Sequence, residues 1–353
     1  MSTDHTMKAV ITAPHGCLEL AEVSRPTPRP GEMLLRVEYA GLCGSDLHGS
    51  ELYPVGTILG HEFVGIVAGV GQDVRSFGLG DRVCSVPAIG CGACLQCLGG
   101  DPVHCSAGRI LERGAGGAFA EYVIVGESSS VPVPSGVDPR LAALTEPLAV
   151  GLKIIDAADL AGDDAVLVVG GGTVGQAVTL WAAAKGIAQV VLSDPHESHR
   201  SVGMQLGATA VLDPRAPGFE DAVERAFGRA PTVVIDCVGR PGILSQSTRL
   251  AAPHGRLILA GLHLGDEVFQ RLVPLQKELS ILFPNFSTVR GFDYALAMLG
   301  SGRIDPTPLL GPQVSLAELP EMFARLKVEN RLGKVLVAVP SGDGDAESFT
   351  SRD

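Results

Sequence analysis

The stretch AVLVVGGGTVGQAVTLWAAAKG, residues 165–186, decides the fold. It opens with a short apolar run typical of a buried strand and continues with the apolar spacing of a helix. Between the two, Gly170, Gly172 and Gly175 form the pattern G-x-G-x-x-G. The first glycine allows a tight turn, the second lets a pyrophosphate approach the backbone, and the third lets helix and strand pack closely. The stretch therefore predicts a dinucleotide site at a helix N-terminus.

An acidic residue follows at the distance expected for a contact with the ribose. Asp194 ends the next apolar stretch, nineteen residues after Gly175. A carboxylate there accepts hydrogen bonds from the adenosine ribose and repels a 2′-phosphate, so NAD(H) is favoured over NADP(H). Arg200, six residues further on, keeps NADP(H) open as the less favoured cofactor. Thr173 and Val174, in the first turn of the helix, complete the predicted cofactor contacts.

The pattern around this stretch indicates two kinds of architecture. From residue 164 to about 285, apolar strands alternate with helices, which predicts a parallel sheet covered on both faces. Residues 7–140 contain short strands broken by Gly and Pro, which is typical of a β-rich barrel. Helices are expected near 292–299 and 316–327, before a final strand, KVLVAV, that is expected to pair with the first domain. The fold class is therefore α/β with a β-barrel domain.

One further helix is expected after residue 140, where the short strands broken by Gly and Pro end. LAALTEPLAVGLKIIDAA, residues 141–158, has apolar residues at three- and four-residue spacing. That period is typical of an amphipathic helix. The stretch is therefore predicted to be helical.

Bulk properties narrow the classes of function. With 353 residues, 46% of them hydrophobic, the chain is long enough for two domains. Its net charge of −12 argues against a nucleic acid or an anionic membrane as partner. The apolar runs are strand-length, and the N-terminal residues lack an apolar signal region, so a cytoplasmic protein is expected. The polar, acidic segment 341–353 is expected to be a disordered tail.

Four of the eight cysteines form a cluster with the spacing C-x₂-C-x₂-C-x₇-C. Four thiolates this close in sequence suit a closed tetrahedral zinc site, which has no open position and is therefore structural. An iron–sulfur site and disulfides or free thiols are less favoured alternatives. The cluster consists of Cys91, Cys94, Cys97 and Cys105.

Two further stretches carry metal-ligating residue types. They are CGSDLH, residues 43–48, and GHEFVG, residues 60–65. Alone, a buried Cys or a surface His-Glu pair is unremarkable in a protein of this size. Beside a dinucleotide motif and a four-cysteine cluster, they predict a second metal site that takes part in chemistry.

With these motifs the chain resembles the zinc-containing medium-chain dehydrogenases. The resemblance covers Met7 to about Pro340 and includes the full family signature G-H-E-x₂-G-x₅-G-x₂-V. It implies a GroES-like β-barrel catalytic domain and a Rossmann cofactor domain. The implied limits are 7–148 for the catalytic domain with a zinc lobe at 84–110, 149–287 for the cofactor domain, and 288–340 for a return segment. The signature residues are Gly60, His61, Glu62, Gly65, Gly71 and Val74.

The resemblance also implies the ligands of a catalytic zinc. Cys43 and His61 match two of them. Where liver-type alcohol dehydrogenases have a second ligand cysteine, this chain has Glu146, which points to the sorbitol, threonine and butanediol dehydrogenase branch. Either Glu62 or Glu146 completes the site, and Cys43, His61 and Glu62 are favoured at rest. The implied metal content is two Zn²⁺ per chain, one catalytic and one structural.

The family mechanism implies roles for further residues near the zinc. The zinc would lower the pKa of the substrate alcohol, and Ser45 would take its proton and pass it towards His48 and solvent. Asp46 is a candidate acceptor for the second ring nitrogen of His61. Lys334 matches a basic position that contacts either the cofactor phosphates or the glutamate beside the zinc.

The substrate pocket is the least defined part of the prediction. Phe119, Leu52 and Tyr53 are candidates to line it, and ordinary packing explains them equally well. The branch resemblance favours polyols, sugars, vicinal diols or amino alcohols over ethanol, and it implies a homodimer or homotetramer.

The predicted function is thus hydride transfer between NAD(H) and a secondary alcohol, polyol, sugar or amino alcohol and its ketone. One alternative is a ketone or aldehyde reductase that uses NADP(H). Another is a zinc-free quinone or enoyl reductase, against which the intact set of zinc-ligating residues argues. A third is a non-catalytic zinc- and NAD-binding redox sensor, which would have no need of Ser45 and His48 as a proton relay.

Overall fold

The computed structural model describes residues 6–329 and 332–340. The segment 341–353, predicted as a disordered tail, lies outside these residues. In the described part of the chain, no helix is both long and apolar enough to cross a membrane.

The strands are numbered in chain order. They are β1 (Thr6–Thr12), β2 (Leu18–Ser24), β3 (Glu32–Gly41), β4 (Glu62–Val70), β5 (Arg82–Ser85), β6 (Ala88–Ile89), β7 (Arg109–Ile110), β8 (Tyr122–Gly126), β9 (Ser130–Pro132), β10 (Ala165–Val169), β11 (Gln189–Ser193), β12 (Ala210–Leu212), β13 (Val233–Asp236), β14 (Arg256–Leu259), β15 (Ser280–Leu282), β16 (Leu310–Ser315) and β17 (Lys334–Ala338).

The helices are numbered in the same way. They are α1 (Gly44–Gly49), α2 (Leu95–Leu98), α3 (Pro139–Ala142), α4 (Thr145–Ala158), α5 (Thr173–Ala184), α6 (Glu197–Gln205), α7 (Phe219–Phe227), α8 (Ile243–Leu250), α9 (Leu272–Gln276), α10 (Val289–Gly300) and α11 (Leu319–Val328).

The six-stranded sheet that contains β10, the strand before the glycine-rich turn, has the order β12-β11-β10-β13-β14-β15 within the described residues. All its neighbouring strands run parallel, and β10, which is buried along its whole length, lies in the interior of the sheet. Crossover helices cover the faces because parallel neighbours cannot be joined by tight hairpins. The strand order reverses between β11 and β13, beside β10, which is where such sheets bind ligands.

The second large sheet has the order β16-β17-β3-β4-β5-β9, with β8 also paired to β3. The long strand β3 runs antiparallel to β4, β8 and β17. The final strand thus pairs with the N-terminal part of the chain, as the sequence predicts. This pairing brings residues 334–338 next to the first metal-ligating stretch.

The region 141–158 differs from a single continuous helix. The structure has α3 and α4, with a break between Ala142 and Thr145. Pro147 explains the break, because proline has no backbone N–H and is tolerated in the first turn of a helix but not in its interior. The new helix therefore begins just before Pro147 and places Glu146 in its first turn.

Candidate active site

The glycine-rich turn between β10 and α5 has the geometry of a phosphate cradle. Gly170 has a φ of 98°, and a Cβ there would lie 2.6 Å from Val238 Cγ2. A Cβ at Gly175 would collide with the Gly170 carbonyl oxygen. At Gly172, by contrast, no described atom lies within 4 Å of a Cβ position. The turn is thus closed on its protein side and open where the helix begins, which suits a pyrophosphate group.

Asp194 lies directly beside this turn, after the end of β11. Its Oδ2 accepts from Gly171 N at 2.8 Å. Its Oδ1 accepts from His196 N at 2.7 Å and lies 3.1 Å from His199 Nδ1. Burial alone would raise the pKa of Asp194, but these hydrogen bonds outweigh it and hold the pKa below its ordinary value. The side chain is therefore an ionised acceptor at the edge of the turn, while Arg200 Nη1 donates to the Asp194 carbonyl at 2.8 Å.

A cleft of 330 Å³ joins this turn to the β-barrel. From the cofactor side it is lined by the glycine-rich turn with Thr173 and Val174, and from the barrel side by Cys43, Ser45 and His48. The cleft therefore brings the predicted cofactor residues and the first metal-ligating stretch to one surface.

A cluster of thiol, imidazole and carboxylate lies at the barrel side of the cleft. One ligand atom each from Cys43, His61 and Glu62 lies within 4.8 Å of the others. Cys43 precedes α1 and Glu62 begins β4, so the two stretches meet because their backbones lie side by side. Sulfur, nitrogen and oxygen donors at this spacing fit the preferences of Zn²⁺.

Glu62 is held by a buried lysine. Lys334 Nζ donates to Glu62 Oε1 at 2.7 Å and to the Leu42 carbonyl at 2.9 Å, and the Lys334 and Glu62 side chains are each 1% exposed. Burial alone would lower the pKa of Lys334, but Glu62 outweighs it and raises the pKa. Glu62 Oε2 has no hydrogen bond beyond its 2.6 Å ion pair with Lys334 in the described chain. An acceptor is thus left for a metal ion.

Of the two roles suggested for Lys334, the geometry therefore shows the contact with the glutamate beside the cluster. Its phosphate role stays a prediction. Gly41 makes room for the pair, because a Cβ there would collide with Glu62 Oε2.

Glu146, the other candidate glutamate, is 8% exposed. Among the described residues it is not one of the side chains that meet within 4.8 Å at the cluster. Its burial raises its pKa to about 7, and the negative charge of Glu62 contributes to the increase. Within the described residues, the geometry thus brings a carboxylate oxygen of Glu62, and not of Glu146, within 4.8 Å of ligand atoms of Cys43 and His61.

The Nδ1 atom of His61 faces two carboxylates. It lies 2.9 Å from Glu112 Oε1 and 3.5 Å from Asp46 Oδ1. Burial would lower the pKa of His61, but Glu112 and Asp46 raise it well above its ordinary value. Sequence reasoning proposed Asp46 and missed Glu112, because no motif surrounds Glu112 and it follows His61 by 51 positions.

Ser45 and His48 lie on α1, beside the cluster. Ser45 Oγ is 3.5 Å from His61 Nε2, the ring nitrogen opposite the two carboxylates. Both residues line the cleft, together with Cys43 and the glycine-rich turn.

The three suggested pocket residues have different surroundings. Phe119 is fully buried in the barrel core and packs against Gly60. Leu52 is 68% exposed. Tyr53 is partly buried, and its hydroxyl donates to Glu112 Oε2 at 3.0 Å. Burial and the Glu112 carboxylate raise the pKa of Tyr53 to about 12, so its hydroxyl stays protonated.

The four-cysteine lobe forms a second cluster. The sulfur atoms of Cys91, Cys94, Cys97 and Cys105 all lie within 4.8 Å of one another, as four ligands of one tetrahedral Zn²⁺ must. Hydrogen bonds from the Ala93 and Cys94 backbone lower the pKa of exposed Cys91 to about 6. Burial raises the pKa of Cys97 to about 12.

Comparison with known proteins agrees with this geometry. Residues 29–135 match the alcohol dehydrogenase GroES-like domain, and residues 173–301 match the zinc-binding dehydrogenase domain. A sorbitol dehydrogenase of Halalkalibacterium halodurans is 30% identical over 332 residues, which cover 91% of this chain and 96% of the relative. The chain belongs to the zinc-binding alcohol dehydrogenase family of medium-chain dehydrogenases. It is an oxidoreductase of that class, and the α/β fold with its GroES-like and Rossmann parts is confirmed.

Two solved structures share nearly the whole fold. The alcohol dehydrogenase RspB of E. coli CFT073, solved with NADH, has a TM-score of 0.87 at 26% identity and covers 95% of this chain and 99% of its own. A zinc-binding dehydrogenase of Sinorhizobium meliloti 1021, bound to NADP, has a TM-score of 0.85 at 31% identity, with coverages of 94% and 99%. Similar proteins thus use either nicotinamide cofactor.

Proposed function

We propose that this chain is an NAD(H)-dependent zinc polyol dehydrogenase that interconverts a secondary alcohol of a polyol, sugar or amino alcohol and its ketone. The observation that carries the proposal is the cluster of Cys43, His61 and Glu62 within 4.8 Å, at a cleft shared with the glycine-rich turn. The sorbitol dehydrogenase relative supports the polyol class. Cytoplasmic location, the domain limits given above and a homodimer or homotetramer remain part of the proposal.

The proposed resting ligands are Cys43, His61 and Glu62. Glu146, whose pKa is influenced by the charges of His61 and Glu62, is proposed to exchange with Glu62 or to hold a water. When bound, zinc supplies Lewis acidity towards the substrate oxygen and the nicotinamide supplies the hydride acceptor. Lys334 pairs with Glu62 where both side chains are buried. The Cys91, Cys94, Cys97 and Cys105 cluster is proposed to hold the second, structural zinc.

Ser45 is the proposed proton acceptor from the substrate. Its Oγ, 3.5 Å from His61 Nε2, is within reach of an oxygen placed beside the cluster. His48 lies within the same helix and cleft, so it is the proposed next group on the way to solvent. A histidine suits that place because its ordinary pKa is near neutrality.

Asp194 supports NAD(H) as the cofactor, together with Gly170, Gly172, Gly175, Thr173 and Val174. Its ionised carboxylate lies at the edge of the turn, where a 2′-phosphate would meet like charge. Asp194→Gly is expected to weaken NAD binding by about tenfold and to reduce discrimination against NADP. Titration of both cofactors against the two proteins measures this. An unchanged preference would contradict the ribose contact and favour the NADP(H) alternative, to which Arg200 contributes a nearby cation.

The substrate class is tested by an oxidation screen. The zinc-loaded protein is incubated with NAD and polyols, cyclitols, 2,3-butanediol, threonine or primary alcohols, and NADH formation is followed. Turnover greatest with a polyol, sugar alcohol or amino alcohol is expected. A protein that binds zinc and NAD but oxidises none of these compounds would be a binding protein, and the proposed function would be wrong.

A further inference from the structure

The Glu112 carboxylate joins three separate parts of the site. Its Oε1 accepts from Gly60 N at 2.9 Å and lies 2.9 Å from His61 Nδ1. Its Oε2 accepts from the Tyr53 hydroxyl at 3.0 Å. Only 9% of the side chain is exposed, so these contacts are shielded from competing water. Both oxygens are therefore committed within the site.

Asp46 is less suited to hold the ring. Its Oδ2 accepts from Cys43 N at 2.9 Å, which fixes the backbone of that residue. Its Oδ1 lies 3.5 Å from His61 Nδ1, beyond the distance of a good N–H···O hydrogen bond. The two carboxylates thus have different roles. Asp46 orients the backbone of Cys43, and Glu112 orients the imidazole of His61.

The contact with Tyr53 extends this arrangement. Tyr53 directly follows the segment 44–52, which carries Ser45 and His48. Its hydroxyl donates a hydrogen bond to Glu112, the same carboxylate that contacts the His61 ring. A displacement of the Glu112 carboxylate would therefore release the ring and this segment together.

We infer that Glu112 is a positioning residue: it fixes the ring of His61 with Nε2 towards the metal site, and through Tyr53 it ties the segment with Ser45 and His48 to that ligand. The inference rests on the proposed zinc site. It concerns how tightly and in what geometry the metal is held, and it does not depend on which alcohol is the substrate. Partners of ligand histidines typically change metal affinity by 10–100-fold when removed.

The test compares Glu112→Ala, Glu112→Gln and Tyr53→Phe. Catalytic-site zinc affinity is measured by competition with a chelator, and the visible absorption of the Co²⁺-substituted protein reports ligand geometry. Both readouts are independent of turnover. The glutamine amide keeps an oxygen for His61 and Gly60 and an NH₂ group that can donate to the Tyr53 hydroxyl, so it is the conservative variant.

Glu112→Ala is expected to weaken zinc binding by about 10–100-fold and to change the Co²⁺ spectrum. Glu112→Gln should recover most of the affinity and the parent spectrum. Tyr53→Phe removes one hydrogen bond to Glu112 and should weaken zinc binding by about fivefold. Wild-type affinity and spectrum in Glu112→Ala would overturn the inference. A Gln variant as weak as the Ala variant would overturn it as well, because charge and not position would then be what matters.

Glu127→Ala is the matched control. Like Glu112, Glu127 lies on a short 3-10 helix and accepts hydrogen bonds from backbone N–H groups, those of Arg75 and Ser76, but it does not contact His61. The Glu127→Ala variant should bind zinc at the proposed site with the wild-type affinity, because its hydrogen bonds are exposed and distant from His61. Thermal unfolding of the zinc-free variants shows whether each one is folded. If wild-type protein itself binds no zinc at Cys43, the proposed function fails, which is distinct from a wild type that binds zinc and a Glu112→Ala variant that binds it equally well.

Discussion

The two metal-ligating clusters of this chain use cysteine in opposite ways. In the cleft, one thiol meets an imidazole and a carboxylate. These ligands are surrounded by buried charged partners, Lys334 on Glu62 and Glu112 on His61. In the lobe, four thiols face one another. Their surroundings are turns and short helices, and Cys91 is exposed.

The difference fits the proposed roles of the two clusters, one reactive and one structural. The four thiols supply every ligand of a tetrahedral ion and leave no position for a substrate. The cleft cluster would supply three ligands under the proposed function, one fewer than a tetrahedral ion takes, and Ser45 Oγ lies 3.5 Å from His61 Nε2. Glu62 is buried and His61 is mostly shielded, and each contacts a charged side chain from a distant part of the chain, Lys334 and Glu112 respectively.

The strongest test of this contrast is Cys43→Ala. We expect turnover to fall by more than about 10³-fold, because loss of a Lewis acid removes several kcal/mol of transition-state stabilisation. Zinc content should drop by about one ion per chain, with the fold intact. Metal analysis, circular dichroism and an activity assay measure this. Full activity in the variant would show that the cleft cluster is not the reactive site.

Lys334→Met tests whether the cleft depends on its buried ion pair. Removing one partner leaves Glu62 buried and unpaired, so zinc-free protein should lose about 3–5 kcal/mol of unfolding free energy. Urea denaturation measures the loss. Lys185→Met is the control, since its pair with Asp156 is largely exposed and should contribute less than about 1 kcal/mol. Equal effects of the two substitutions would contradict the special dependence of the cleft.

Cys97→Ser tests the structural role of the lobe. Cys97 is buried, and a Cβ on Gly90 would lie 2.5 Å from its sulfur, so the thiol is tightly enclosed. The variant should lose the lobe zinc and unfold about 5–10 °C lower. Turnover of the folded protein at low temperature should stay within about twofold, since no ligand of the cleft changes. Cys17→Ser, at an exposed cysteine, is the control. If Cys97→Ser lost as much turnover as Cys43→Ala, the proposal that the lobe is structural and the cleft cluster reactive would be contradicted.

The smallest expected effect concerns thiol reactivity in the zinc-free lobe. Cys91 has a pKa lowered to about 6 and Cys97 one raised to about 12. Near about pH 7, iodoacetamide should therefore modify Cys91 first, because the thiolate is the nucleophile. Since a lowered pKa keeps the thiolate down to lower pH, labelling should slow only as the pH falls through about 6. Mass spectrometry of the peptides measures the order, and simultaneous labelling would contradict it.

Much of this architecture was predictable because its signals are contiguous. The glycine-rich turn, the four cysteines and the 43–48 stretch each specify their geometry within a few residues. Neither the contact of Glu112 with His61 nor that of Lys334 with Glu62 could be settled from the sequence, because the partners lie 51 and 272 positions apart and meet only in the folded chain. Which glutamate lies nearer to Cys43 and His61 likewise depends on the backbone path of β4 and α4, and the choice of zinc ligand between Glu62 and Glu146 stays a prediction.

The place of Lys334 at the start of β17 has a consequence for biosynthesis. Glu62 leaves the ribosome 272 residues before the lysine that neutralises it. Until β17 joins β3, sealing this part of the barrel would strand a lone carboxylate away from water, at a cost of several kcal/mol. The buried ion pair therefore forms only after the whole segment between β4 and β17 has been synthesised.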